Sequence, residues 1–462
     1  MLKAKIAAPP PEAVDASAIP KSLRPGQLVK LLEAKANSYS NKPPLKKPLM
    51  IRAKSGSNGK SFLSLDDVLD GASYGAYEEG TIFLKLTRRE AAEYREQLSQ
   101  RMAEGKVKTY TTGVVNNVGS DPEIFAVDGQ GHVVPAFAYL PAKGSAAQIP
   151  YLGEAAMSTS HYLAGSKLFW DGFQAEFTTS PTYCIASLMD SVRQGLREVY
   201  YRARALVKDA RLTPQCVVET PPELLMSSPP ECVLLGCAPS HNAYFEGMNP
   251  VLGEVNPSEL PFRFAGFHIH MGCGSLSVAN AKKIVKVIDK IAGVASVCVF
   301  RGLEDVRRRR YYGLAGEFRL PDHGLEYRVL SSVGLAHPVL SHLCFDLVRM
   351  AFVFGFRGYG YAWDCSDEEA QNAINNLDVE LAMKIMERNK AILNRLLTDG
   401  YSSHTSLGGG EKTRAVPKAE KLIFQGASGL INVTDMTDNW VLEGNWQGHS
   451  DNDRVSLANW KI

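Results

Sequence analysis

The sequence predicts a mixed α+β fold, and three observations predict it. Five short, apolar-backed segments carry charged side chains two residues apart, the period at which a strand presents one face. Three longer segments, residues 184–207, 276–304 and 366–398, repeat apolar residues at helical spacing. Strand signals interleave with these helices without the regular βαβ alternation of a doubly wound sheet.

At 462 residues, 45% hydrophobic and 22% charged, the chain has globular proportions and room for a sizeable core. Lys plus Arg total 51 against 49 Asp plus Glu, a net +2, which argues against a dedicated nucleic-acid or membrane-surface protein. The apolar run Ile291–Phe300 falls short of the roughly 20 residues a membrane span needs, and Asp346, Arg349 and Arg357 interrupt the run from Val333 to Trp363. The Lys-bearing N-terminus reaches Pro9-Pro10-Pro11 without an apolar stretch, so no secretory signal is expected. The eight cysteines form no CxxC pair, and Cys298 sits in an apolar run. Free thiols in a reducing cytoplasm are the economical expectation.

Along the chain, residues 1–110 read as an N-terminal extension, partly linker-like with a small α/β unit. A short helix is expected over Gln27–Asn37, a linker around Ser55–Gly59, a strand over Thr81–Leu86 and a helix from Thr87 to about Glu104. Residues 111–402 form the main body, and 403–462 a polar C-terminal tail with one strand-like run, Lys421–Phe424.

The charged strand segments share one pattern. Asp121-Pro122-Glu123 and Gln174-Ala175-Glu176 each place two polar groups on one face. His268-Ile269-His270 does the same with imidazoles, and Glu317-Phe318-Arg319 and Glu326-Tyr327-Arg328 pair a carboxylate with a guanidinium. Singly, each reads as a wet face or a same-face ion pair. Together they describe a sheet face that stays dry only if cations compensate it, because an unpaired buried carboxylate costs several kcal/mol. Oxygen-rich ligation without thiolates suits Mg²⁺ or Mn²⁺, and arginines among the carboxylates call for an anion. The run Arg307–Arg310 is either a solvated helix end or nucleic-acid patch, or a phosphate clamp, with Arg307 and Arg310 as candidates to hold nucleotide phosphates. No Walker motif, GxGxxG after a strand, or GxSxG elbow occurs.

In this order the motifs Gly119-x-Asp121-Pro122-Glu123, Asp171-Gly172-x-x-x-Glu176, Gly266-x-His268-Ile269-His270-x-Gly272, Arg319-Leu320-Pro321 and Leu325-Glu326-Tyr327-Arg328 resemble those of the phage-encoded carboxylate–amine ligases of type 2. These form a branch of the glutamine synthetase and glutamate–cysteine ligase superfamily. The likeness covers roughly residues 112–340, and the segment Gly236–Tyr244 is similar too. It implies a curved, mainly antiparallel sheet forming a funnel with helices packed outside, which makes 111–402 the catalytic domain. It further implies ATP and Mg²⁺ as cofactors and an amide formed through an acyl phosphate. By the resemblance, Glu123, Glu176, His268 and Glu326 hold metal, and His270 faces the nucleotide. Glu326, Arg319 and Arg328 serve the phosphoryl transfer, Arg328 also binding phosphate. The partners implied are a carboxylate and an amine, carried by a small molecule, a peptide or a protein side chain. Neither nucleic acid nor membrane is expected, a homo-oligomer is allowed, and the compartment is the cytoplasm, the host's if the chain is phage-encoded. Asp121 and Gln174 stand where glutamine synthetases carry further glutamates, which leaves the number of metals open. Two other readings stay open: a metal-dependent hydrolase built on His268-x-His270, and a non-catalytic virion or scaffold protein that keeps the fold.

Overall fold

The computed structural model describes residues 28–33, 48–57, 60–67, 69, 72–78, 82–109, 117–143, 147–148, 166–233, 240–246, 256–402 and 409–443. Contacts divide the chain into two units. One runs to Val107 and includes Arg357–Ala362; the other holds Lys108–Phe356 and continues from Trp363.

The first unit is an antiparallel sheet of β1 (Leu28–Glu33), β2 (Pro48–Ser57), β3 (Lys60–Asp67), β4 (Ala72–Glu78) and β5 (Ile82–Lys85), in the order β4-β3-β2-β1-β5, followed by α1 (Arg88–Ala103). The helix expected over Gln27–Asn37 is instead the strand β1. It lies between β2 and β5 with Val29 buried, so pairing on both edges overrides local helix preference. The expected linker joins paired strands, since Ser57 lies opposite Lys60; Asn58 and Gly59 fall outside the described residues. The start of α1 follows its sequence signal. The Thr87 hydroxyl accepts from Glu90 N–H, and the Glu90 carboxylate accepts from Thr87 N–H at 2.8 Å, a capping box. Tyr94, Leu98 and Met102 form its buried stripe.

The second unit is built on a large open antiparallel sheet with helices. Its strands are β6 (Asn117–Val127), β7 (Val133–Val134), β8 (Ala147–Gln148), β9 (Lys167–Asp171), β10 (Gln174–Thr178), β11 (Arg211–Thr213), β13 (His241–Asn242), β15 (Phe267–Gly272), β16 (Glu317–Arg319) and β17 (Gly324–Tyr327). The order is β13-β16-β17-β15-β6-β10-β9-β8, with β7 and β11 also pairing with the long strand β6. A small ladder joins β12 (Val217–Glu219) to β14 (Phe262–Phe264).

Helix α2 (Ile185–Leu206) buries Leu188, Val192, Leu196 and Val199, as its periodicity predicts. The short helices α3 (Pro222–Ser227) and α4 (Pro230–Val233) follow. The single helix expected over 276–304 is instead α5 (Val278–Ile288), a π-helical turn Asp289–Gly293, and α6 (Val294–Val299). The turn holds the buried Asp289, whose Oδ1 accepts from the Tyr327 hydroxyl at 2.7 Å. The short α7 (Val306–Arg309) carries the arginine run. Helix α8 (Pro338–Phe356) is long and apolar enough to cross a membrane by length and composition, but 89% of that window is buried inside the fold. Its apolarity is that of a core helix.

The helix expected over 366–398 is three: α9 (Asp367–Asn375), α10 (Val379–Arg388) and α11 (Lys390–Ser402). Leu377 takes a positive φ of 49° and Asp378 caps α10 through Leu381 N–H, so the chain turns there. Asn389, at the second break, binds Asp364 by side chain and so leaves the helical path. The expected strand Lys421–Phe424 lies inside α12 (Gly409–Gln425), where Leu422 and Ile423 are fully buried. After α13 (Met436–Asn439), the buried Trp440 donates its indole N–H to Leu335 O. The stretch read as a polar tail therefore contributes to the core.

Candidate active site

Register alone assembles the site. Residues directly opposite on antiparallel strands share a face. Glu176 lies opposite Glu123, and Asp121 opposite His268. His270 lies opposite Glu326, which in turn lies opposite Arg319. Five strands thus bring the predicted Glu123, Glu176, His268, His270, Glu326 and Arg319 onto one face in a continuous row. Arg328, one residue past β17, is buried and ion-paired to Glu326.

At one end of the row, Glu123, Asp171 and Glu176 each offer a carboxylate oxygen, all within 4.8 Å of one another. Asp171 lies opposite Gln174 across the tight β9–β10 connection, where Gly172 supplies a positive φ of 68°. Burial, together with the Asp171 charge, pushes the Glu123 carboxyl up to about 7. Glu176 is raised well above the usual carboxylate range for the same two reasons, and Asp171 is raised by burial. Two buried acids and the half-buried Asp171, all with raised carboxyl pKa, form an all-oxygen donor set, which fits a hard divalent cation. Lys143 Nζ stands 3.5 Å from Glu176 Oε1. Burial works against its charge, but Glu176 and Asp171 more than offset this and raise its pKa.

In the middle, His268 Nδ1 is 3.6 Å from Glu326 Oε1 and 3.9 Å from Glu123 Oε1. Burial and the positive field of Arg328 and Arg308 hold it well below the usual imidazole range, which favours the neutral ring. At the far end, His270 Nε2 is 3.0 Å from Asp121 Oδ2, and its Nδ1 is 3.0 Å from His323 Nε2. Burial opposes charge on both partners of the first pair. Their mutual contact outweighs it, raising His270 and lowering Asp121. Arg319 Nη1 is 3.9 Å from Glu326 Oε1, so two guanidiniums flank that carboxylate.

The face opens into a small cleft lined by Glu123, Gln174, Gly266, His268, Arg308, Glu317 and Arg328. Arg307 and Arg310 are not among its lining residues. Arg307 pairs with Asp305 at 2.8 Å and with Glu219 at 3.7 Å, and Arg310 is exposed. The arginine of the run that reaches the cleft is Arg308. It is buried and donates to Val329 O and Leu330 O. A four-residue helix turns consecutive side chains by about 100° each, so a run of arginines cannot all face one ligand. By composition the loop Pro141–Tyr151 and the glycine-rich stretch 406–411 are candidates to cover such a site; of these, residues 144–146, 149–151 and 406–408 lie outside the described residues.

Gly266 fixes the local geometry. Its N–H donates to Glu123 Oε2 at 2.6 Å, and a Cβ there would sit 2.6 Å from His268 Nε2. Gly266→Ala should leave a folded protein whose Mn²⁺ affinity is about tenfold weaker, because the added Cβ displaces the imidazole expected to serve as a ligand. Mn²⁺ titration of the variant checks this, and wild-type affinity would show that His268 yields without consequence.

Buried carboxylates, imidazoles and guanidiniums gathered on one face of an open antiparallel sheet make this face the candidate active centre. Residues 259–407 match the family described as Phage phiEco32-like COOH.NH2 ligase-type 2, which bears out the resemblance over that stretch and supports a carboxylate–amine ligase. No curated protein matches the chain. The matched stretch carries β15, β16, β17 and the arginine run, whereas Glu123, Asp171 and Glu176 lie before it.

Proposed function

We propose that the protein is an ATP- and Mg²⁺-dependent carboxylate–amine ligase. The observation that carries the reading is the convergence of Glu123, Glu176, His268 and Glu326 with Arg319 and Arg328 on one sheet face, within a chain part of which matches a COOH.NH2 ligase family. A substrate carboxylate oxygen attacks the γ-phosphorus of ATP, the bond from that phosphorus to the bridging oxygen breaks, and ADP leaves. An amine nitrogen then attacks the acyl carbon, the carbon–oxygen bond to phosphate breaks, and the nitrogen gives up a proton as the amide forms.

Carboxylate and γ-phosphate are both anionic, so their approach needs fixed positive charge. Arg328 and Arg319 supply it at Glu326, which holds both guanidiniums against the face rather than in solvent. Glu123, Asp171, Glu176, His268 and Glu326 are the side chains that would hold divalent ions. When bound, such ions add charge neutralisation between the two anions. Burial and the neighbouring guanidiniums make His268 a weak base, so the amine's proton goes to a carboxylate or to water. The reducing, ATP-rich cytoplasm suits this chemistry, the host's if the gene is a phage's.

The test is a screen of carboxylates against amines with ATP and Mg²⁺, reading ADP and, by mass spectrometry, a new amide. The expected result is ADP formed in step with one amide. ATP-independent cleavage of an amide would replace the ligase with the hydrolase.

A further inference from the structure

One cation stands at the trio of carboxylates without a task in the reaction above. Lys143 follows Ala142, which bridges Trp170 on β9, so its backbone is tied to the strand that ends in Asp171. Its ammonium lies 3.5 Å from Glu176 Oε1 and 4.8 Å from the centre of the Phe169 ring. The Lys143 side chain is 68% exposed while that of Glu176 is 7% exposed, so a flexible stem brings the charge in from solvent to a buried partner.

Three acids this close repel one another, and burial raises the cost of each charge. An ammonium at the rim relieves part of that cost. A divalent ion held by the same oxygens relieves more of it, but the Glu176 oxygen facing Lys143 cannot serve both at full strength. Metal entry therefore displaces the lysine, and the displaced ammonium stays within reach of the ground where the anions meet.

We infer that Lys143 is the resident counter-cation of the Glu123–Asp171–Glu176 trio, competing with a divalent ion for Glu176 and set free for the anionic substrate when that ion binds. The inference rests on the metal reading of this face. It makes Lys143 a positioning residue, and it predicts an effect on binding that runs opposite to that of removing a ligand.

The experiment titrates the full-length protein with Mn²⁺ at low ionic strength, counting free ion by electron paramagnetic resonance. Lys143→Met keeps the stem on Phe169 and deletes the charge. It should tighten Mn²⁺ binding about tenfold, whereas Lys143→Arg should stay within about threefold of wild type. A second measurement needs no variant. Acetylation of Lys143 by an activated ester, read by peptide mass spectrometry, should rise severalfold when wild-type protein is saturated with Mn²⁺. Lys143→Met binding Mn²⁺ no more tightly than wild type, or labelling that Mn²⁺ leaves unchanged or lowers, would overturn the inference while the metal reading stood. Failure of the wild-type protein to bind Mn²⁺ at all would overturn both.

Discussion

Arg328→Ala should lower ATP-to-ADP turnover by a factor of about a thousand or more, since a guanidinium aimed at a transferring phosphoryl group contributes on that scale. Arg328 is 3% exposed and pairs with Glu326 at the centre of the row. Truncation removes the charge and also takes from a buried carboxylate its nearest cation, a change that costs about 3–5 kcal/mol when a buried pair is broken. Loss of activity in this variant alone would therefore confound chemistry with folding. Two companions separate them. Arg328→Lys keeps the charge but not the two-pronged donor, and should retain the fold while losing about a hundredfold in turnover. The double variant Glu326→Gln/Arg328→Met removes both charges together and should recover much of the thermal stability with no recovery of activity. A well-folded double variant that formed ADP at the wild-type rate would remove Arg328 and Glu326 from the mechanism.

The charged face was legible because strands obey a period of two. Once Glu123, Glu176, His268 and Glu326 are each placed on a strand, antiparallel pairing needs only the register to line them up, and the structure supplies it. Asp171 escaped that logic because it sits across a hairpin from Gln174 rather than two residues along one strand. The signal was present in Gly172, which as the first of two loop residues suits a tight hairpin and returns the chain with Asp171 beside the acids of β10. Lys143 and His323 lie outside strands, where no period applies, and only tertiary contact brings them in. The arginine run misled for the opposite reason. Consecutive residues on a short helix diverge, so Arg308 enters the cleft while Arg307 turns to Asp305 and Glu219. The longest errors in the fold, one helix for three after Ser366 and a strand for part of α12, arise where apolar spacing persists across a chain reversal. Periodicity sees the continuing core face; it does not see Leu377 at positive φ or Asn389 reaching back to Asp364.

Metal-free protein should lose stability as pH rises from about 6.5 to about 8, and saturating Mg²⁺ should restore it chiefly at the upper end. The sign follows from Glu123. Its carboxyl is pushed up to about 7 in the fold, against an ordinary value of 4.5, so the folded state keeps a proton that the unfolded chain has released. Stability from that proton is fully present below the unfolded value and is lost as pH climbs through the folded one. A shift of this size corresponds to an effect on the order of 3 kcal/mol. Glu176 adds in the same direction. The lowered Asp121 has the opposite sign only in more acidic solution, and the lowered His268, His323 and His337 oppose the slope only below about 6.5, beneath this window. Asp289, raised to about 7 by burial, adds a second slope of the same sign from the π-helical turn, apart from the trio. That separation makes the measurement decisive. A divalent ion binds the deprotonated trio and does nothing for Asp289, so thermal melts with and without Mg²⁺ should diverge as pH rises, by about 2–3 kcal/mol once Mg²⁺ exceeds its dissociation constant about a hundredfold. Glu123→Gln should abolish most of the Mg²⁺ shift. Asp289→Asn should flatten part of the metal-free slope and leave the Mg²⁺ shift intact. A Mg²⁺ shift of equal size across the pH range, or one that survives Glu123→Gln while vanishing in Asp289→Asn, would mean that the ion is not held by the acids of β6, β9 and β10.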